Sequence, residues 1–130
     1  MTCISASVLT SNVLLTGQIE THTIDQARTI FDVNTFSLIS LVTAILPLMK
    51  KQRDGRIIVV TNQAGIQGIP FHEIYCASKF AVEGFMECVA PECLAFNIQL
   101  LHVKSLIYFI HEFLIPYRER ASERYGIKNS

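Results

Sequence analysis

Tyr75 and Lys79 stand four residues apart in the segment Tyr75-Cys76-Ala77-Ser78-Lys79. On a helix that spacing puts a phenol and an ammonium on one face, within reach of each other. A free tyrosine gives up its proton only near about pH 10, so it is a poor acid-base group at neutrality. A cation a few ångströms away favours the phenolate and moves that value toward working pH. Tyr75 could then exchange a proton with an alcohol or carbonyl oxygen, with Lys79 tuning it. The same spacing also occurs on ordinary solvated helix faces, and the pair alone does not decide between the two.

Positioning such a pair requires a helix and a sheet behind it. The pattern predicts a helix from Ile74 toward Phe96, with a kink or early end at Pro91, where a lost N–H and a ring clash cost about 3 kcal/mol. Ahead of it, after a turn at Asp54-Gly55, Arg56 to Thr61 reads as a buried parallel strand. An earlier helix is predicted from Thr23 to about Lys50. Thr23-Ile24-Asp25-Gln26 has capping-box form, and Ala27, Ile30, Phe31, Leu38, Leu41, Val42, Ile45 and Met49 make one buried stripe, with Pro47 kinking the last turn. Asn34 falls on that stripe, where a buried amide needs partners or costs about 1 to 3 kcal/mol. The plainest partner is a neighbouring loop. Ile4 to Leu9 is a short first strand leading to a polar loop through Ser11, Asn12 and Gly17, and Ile98 to Val103 is a third strand. Ser105 to about Arg124 reads as an apolar helix interrupted at Pro116.

The order β-α-β-α-β-α implies an α/β fold with a parallel sheet and right-handed crossovers. With the strands side by side in chain order, both crossover helices lie on one face. The other face is then under-covered, and the first strand is an open edge.

A chain of 130 residues supports one domain, 1–130, with 105–130 as its apolar terminal helix and tail. Half of the residues are hydrophobic and 17% are charged, which argues against disorder. Eleven basic residues balance eleven acidic ones, so the charge gives no footprint for nucleic acid. Cys3, Cys76, Cys88 and Cys93 lack zinc-site spacing, so no metal is expected and the thiols read as free in a reducing compartment. The first residues carry no basic region ahead of an apolar stretch, and the default location is cytoplasmic. Of two candidate membrane stretches, Leu38 to Met49 is too short, and Leu100 to Pro116 carries His102, Lys104, His111 and Glu112. Membrane association is not expected, although the last helix, ending in Arg118-Glu119-Arg120, has the form of one that could lie on a membrane or a partner.

The stretch RIIVVTNQAGIQGIPFHEIYCASKFAVEGFMECVA resembles the active-site segment of short-chain dehydrogenases/reductases. Gly68-Ile69-Pro70-Phe71 through Tyr75-Cys76-Ala77-Ser78-Lys79-Phe80-Ala81 to Gly84 is most similar to the branch of 17β-hydroxysteroid dehydrogenases and photoreceptor-type retinol dehydrogenases. The similarity runs from about Val13 to Leu101, some two-thirds of the chain. It implies part of a Rossmann-like doubly wound sheet without the first half of the nucleotide-binding fold. It implies Tyr75 as proton donor or acceptor and Lys79 as its partner, both also contacting NAD(P). Phe31-Asp32-Val33-Asn34 resembles the segment whose asparagine holds a relay water through a helix irregularity, a second reading of Asn34.

The pattern also departs from the family. Asn62 stands where the family has a serine; its amide can donate to the reacting oxygen, but it is larger and differently directed, and Thr61 should face the other way. Thr10-Ser11-Asn12 stands for the family's Asn-Ala-Gly, none of the six glycines makes a pyrophosphate-binding turn, and Lys104-Ser105-Leu106-Ile107 replaces a Pro-Gly turn. Two functions follow. One is hydride transfer between NAD(P)H and a steroid- or retinoid-like alcohol or carbonyl, weak or absent in the isolated chain. The other is a non-catalytic remnant or interaction module, pairing two copies through helices 23–50 and 74–96. His72 is expected to be a solvated loop residue, and Tyr108, Phe109, Phe113 and Tyr117 to be a helix side or a substrate wall.

Overall fold

The computed structural model describes residues 6–10, 12–105 and 115–116. Strands β1 (Ser7–Thr10), β2 (Gly55–Asn62) and β3 (Ile98–Ser105) are parallel and lie side by side in chain order. Alternation along β2 sets the two faces. Ile57, Val59 and Thr61 are buried, whereas Ile58 and Val60 are half-buried. Both crossovers cover the first face: Leu9, Ile57, Val59 and Leu100 share one core with Leu38, Val42 and Met49 from the first crossover and Val82, Met86 and Cys93 from the second. Gly55 lets the sheet approach that crossover, because a Cβ there would meet Met49 Sδ at 2.6 Å.

On the opposite face Val8, Ile58 and Leu101 align in one row and Val60 and Val103 in the next. Val8 is 62% exposed and the others are half-buried. The under-covered face and the open β1 edge expected from the strand order are both present among the described residues.

The first crossover is one helix from residue 24 to residue 52, but it is not regular. It comprises α1 (Ile24–Phe31), a π-helical segment (Asp32–Phe36) and α2 (Ser37–Gln52). The capping box forms: Thr23 Oγ1 accepts from the Gln26 N–H at 3.2 Å, and Gln26 Oε1 accepts from the Thr23 N–H at 2.8 Å. Leu41, placed on the buried stripe by its spacing, is instead 43% exposed. The stripe centres on Val42 and Met49, and Leu41 sits about a quarter turn to the side at 100° per residue. This whole helix is long and apolar enough to cross a membrane, whereas the shorter stretch read from the sequence was not. Its apolar stripe packs against the sheet.

The second crossover contains α3 (Glu73–Ala95), which continues past Pro91 rather than ending there. Ala90 and Cys93 on either side are buried, and that packing holds the helix through the proline. Pro47 is carried the same way between Leu46 and Met49. The expected last helix is corrected at two places. Ser105 belongs to β3, and Ile115–Pro116 forms β4, antiparallel to β3 through Leu101↔Pro116 and His102↔Ile115. The open side of β3 offers backbone groups to pair, and an edge strand tolerates proline. The rest of that helix, with Tyr108, Phe109, Phe113 and Tyr117, lies outside the described residues, as do Cys3 and Ile4.

Candidate active site

At the end of β2 the chain enters a single 3-10 turn, Gln63–Gly65, which Asn62 caps by accepting the Ala64 N–H on Oδ1 at 3.1 Å. That cap fixes the carboxamide, and its Nδ2 donates to the hydroxyl oxygen of Tyr75. Thr61 points the opposite way, as strand alternation requires, and donates to Glu83 Oε1 at 3.0 Å. Tyr75 lies in the first turn of α3 and is 1% exposed. Its hydroxyl donates to Asn12 Oδ1 at 2.5 Å. Lys79 follows one turn later, 3% exposed, with Nζ 5.6 Å from the centre of the Tyr75 ring.

Burial pushes the Tyr75 phenol above its ordinary 10.0, and its hydrogen bonds with Asn62 and Asn12 only partly oppose it. Burial likewise holds Lys79 below its ordinary 10.5. The spacing of the pair predicted a phenol drawn toward neutrality by the ammonium. Removal from water sets the direction here instead, and the phenol is raised rather than lowered.

Asn34 is brought to the site by the π segment and is 1% exposed. Its Nδ2 donates to the Val13 carbonyl at 2.9 Å and to Ser78 Oγ at 3.1 Å, and its Oδ1 accepts the Val13 N–H at 2.8 Å. The side chain thus bonds a neighbouring loop, one of its two sequence readings, while the helix irregularity implied by the other is also present. Thr35 Oγ1 donates to the Ser78 carbonyl at 3.0 Å, and Ser78 Oγ donates to the Tyr75 carbonyl at 2.7 Å. The π segment therefore braces α3 between Tyr75 and Lys79.

Beneath the site, His102 Nδ1 of β3 lies 3.2 Å from Glu83 Oε2, joining β2, α3 and β3 through buried polar groups. Above it, the Gly17 N–H donates to the Phe71 carbonyl at 3.0 Å, and Phe71 adopts a left-handed φ of 64° in the turn before α3. His72 stays on its own turn, half-buried, with Nδ1 2.8 Å from the Pro70 carbonyl.

The structure thus groups Tyr75 and Asn62, with Lys79 over the tyrosine ring and Asn34 behind it. Sequence reasoning missed Asn12 and Ser78 as members of the group. Asn12 was visible only as a departure from a small-residue turn, and Ser78 only as filler between Tyr75 and Lys79.

A partial doubly wound sheet carrying this phenol and ammonium defines a class, and comparison with known proteins gives the same one. The short chain dehydrogenase family model matches residues 6–106, and the chain belongs to that family. It is 46% identical over 84 residues to retinol dehydrogenase 8 of Bos taurus, covering 65% of this chain and 27% of that protein. It is 43% identical over 76 residues to 17-beta-hydroxysteroid dehydrogenase type 1 of Mus musculus, covering 58% of this chain and 22% of that protein. The chain thus spans only about a quarter of the length of these relatives. Among solved structures, a short-chain dehydrogenase from Streptomyces avermitilis matches with TM-score 0.76 at 24% identity, over 82% of this chain and 40% of that one. A gluconate 5-dehydrogenase from Burkholderia cenocepacia J2315, in complex with NADP and tartrate, matches with TM-score 0.75 at 17% identity, over 79% of this chain and 40% of that one. These two likenesses show the shared Rossmann-type fold.

Proposed function

We propose that the chain carries the proton-transfer end of an NAD(P)-dependent oxidoreductase site that interconverts an alcohol and a carbonyl on a steroid- or retinoid-like molecule. The observation that carries this reading is the buried Tyr75 hydroxyl, held by Asn62 at the end of β2, with Lys79 one helix turn away. In the reducing direction Tyr75 gives its proton to the carbonyl oxygen as negative charge develops there. The Asn62 N–H and the Lys79 ammonium then stabilise the phenolate left behind. In the oxidising direction the same atoms take the proton back. Asn34 and Ser78 keep α3 in register, so that the phenol and ammonium face one point.

A buried ammonium beside a phenol is a donor set suited to a neutral ribose, so Tyr75 and Lys79 fit the nicotinamide-ribose end of a dinucleotide. When bound, NAD(P)H would supply the hydride at the carbonyl carbon. The names of the retinol and 17-beta-hydroxysteroid relatives support an apolar alcohol as substrate. So do the exposed Val13, Leu14, Ile66 and Phe71 on the segments that lead from Asn12 and to Tyr75. Free Cys76, Cys88 and Cys93 support a reducing, cytoplasmic setting.

The test is reduction of a retinal or a keto-steroid with NADPH. Tyr75→Phe should lower kcat by about a hundredfold or more, the range of a lost general acid. Equal turnover by Tyr75→Phe would exclude this mechanism.

A second reading, an interaction module, is favoured by exposed Phe36, Leu41 and Leu48 on the first crossover and Phe80 and Leu94 on α3. These support pairing of two copies through helices 23–50 and 74–96.

A further inference from the structure

The Tyr75 hydroxyl has its proton committed before any ligand arrives. It donates to Asn12 Oδ1 at 2.5 Å while accepting from Asn62 Nδ2. A carboxamide oxygen in that position has the chemistry of the group Tyr75 is placed to serve, a neutral carbonyl oxygen accepting a phenol proton. The two amides differ in how they are held. Asn62 is tied down by its cap to Ala64 at 3.1 Å, whereas Asn12 is exposed to solvent on the loop that follows β1. Tyr75, at 1% exposure, is covered where these groups meet. The exposed Asn12 side chain can swing toward solvent while Asn34 holds the neighbouring Val13 backbone in place, whereas moving Asn62 would uncap the 3-10 turn.

We propose that Asn12 is an internal stand-in for the substrate oxygen, gating Tyr75 so that a carbonyl ligand must displace its carboxamide to reach the phenol proton. This rests on the reading of Tyr75 as the proton donor. It identifies the ligand group that opens the gate as a neutral oxygen acceptor, and it makes Asn12 a residue that sets access to the site.

The test reads the hydroxyl itself. N-acetylimidazole acetylates accessible phenol oxygens, and mass spectrometry of the digested chain gives the rate at Tyr75, with no cofactor or substrate needed. Asn12→Gly and Asn12→Ala should each acetylate at Tyr75 several-fold to about tenfold faster than the unaltered chain, the factor a net hydrogen bond is worth. Thermal unfolding confirms that each variant is folded. In the unaltered chain Tyr75 should also react more slowly than in urea. Equal rates in the unaltered chain and both variants, or a Tyr75 as reactive folded as unfolded, would overturn the gate. Turnover separates this from the oxidoreductase reading. Faster acetylation in Asn12→Gly without carbonyl reduction keeps the gate and removes the oxidoreductase. Reduction by the unaltered chain with acetylation unchanged by Asn12→Gly keeps the oxidoreductase and removes the gate.

Discussion

Tyr75, Lys79 and Cys93 all lose water on folding, and that loss gives each the direction in which it titrates. Burial pushes the Cys93 thiol from 9.0 up to about 11, with Glu92 adding to the rise and Lys50 opposing it. Below pH 9 the thiol is protonated in both states, so its contribution to stability is fully present there. As pH rises through about 11, the unfolded thiol ionises first and that contribution is lost. Tyr75, raised above 10.0, adds a fall of the same sign from pH 10 upward, and Lys79, lowered from 10.5, acts against it. In denaturant unfolding, Cys93→Ala should therefore remove a fall in stability between pH 9 and about 11 relative to the unaltered chain. An unchanged slope in that variant would contradict the assignment. At this scale the sequence was informative about Tyr75 and Lys79, whose spacing is local to one helix. It was silent on the Asn12 contact, which joins residues 63 positions apart and exists only once β1 and α3 are placed together.

The element that does most for the site is the irregular one. Thr23 and Gln26 announce the start of the first crossover helix, because a capping box is written in four consecutive residues. The π segment has no such local signature. Its traces were a polar residue, Asn34, on an apolar stripe and the likeness of Phe31-Asp32-Val33-Asn34 to a family segment with a helix irregularity; within this chain Asn34 and Thr35 both bond outside their helix. Of the two outcomes expected at Pro91, the early end does not occur, since α3 passes the proline on packing that a local preference does not contain. Asn34→Ala removes bonds to Val13 and Ser78 in a buried setting and should destabilise the fold by about 1 to 3 kcal/mol in urea unfolding. A change within error would show that this brace carries no weight.

Across the whole molecule, three parallel strands in chain order put both crossovers on one face, a consequence of handedness already legible in the order of elements. The resulting open face, with the row Val8, Ile58, Leu101 at its centre, should bind an apolar dye or drive self-association of the purified chain. A monomer that binds no dye would contradict that account of the sheet. The two-residue strand β4 was not legible, because its pairing depends on the free side of β3 rather than on its own composition.

In the proposed function Tyr75 and Lys79 together form the ribose-facing, proton-donating end of a dinucleotide site. The most direct test is calorimetric titration of the chain and of its Lys79→Ala variant with NADPH and NADH. The unaltered chain should show weak, roughly millimolar saturable binding that is lost in the variant. No saturation by either cofactor, or equal binding by the Lys79→Ala variant, would contradict it.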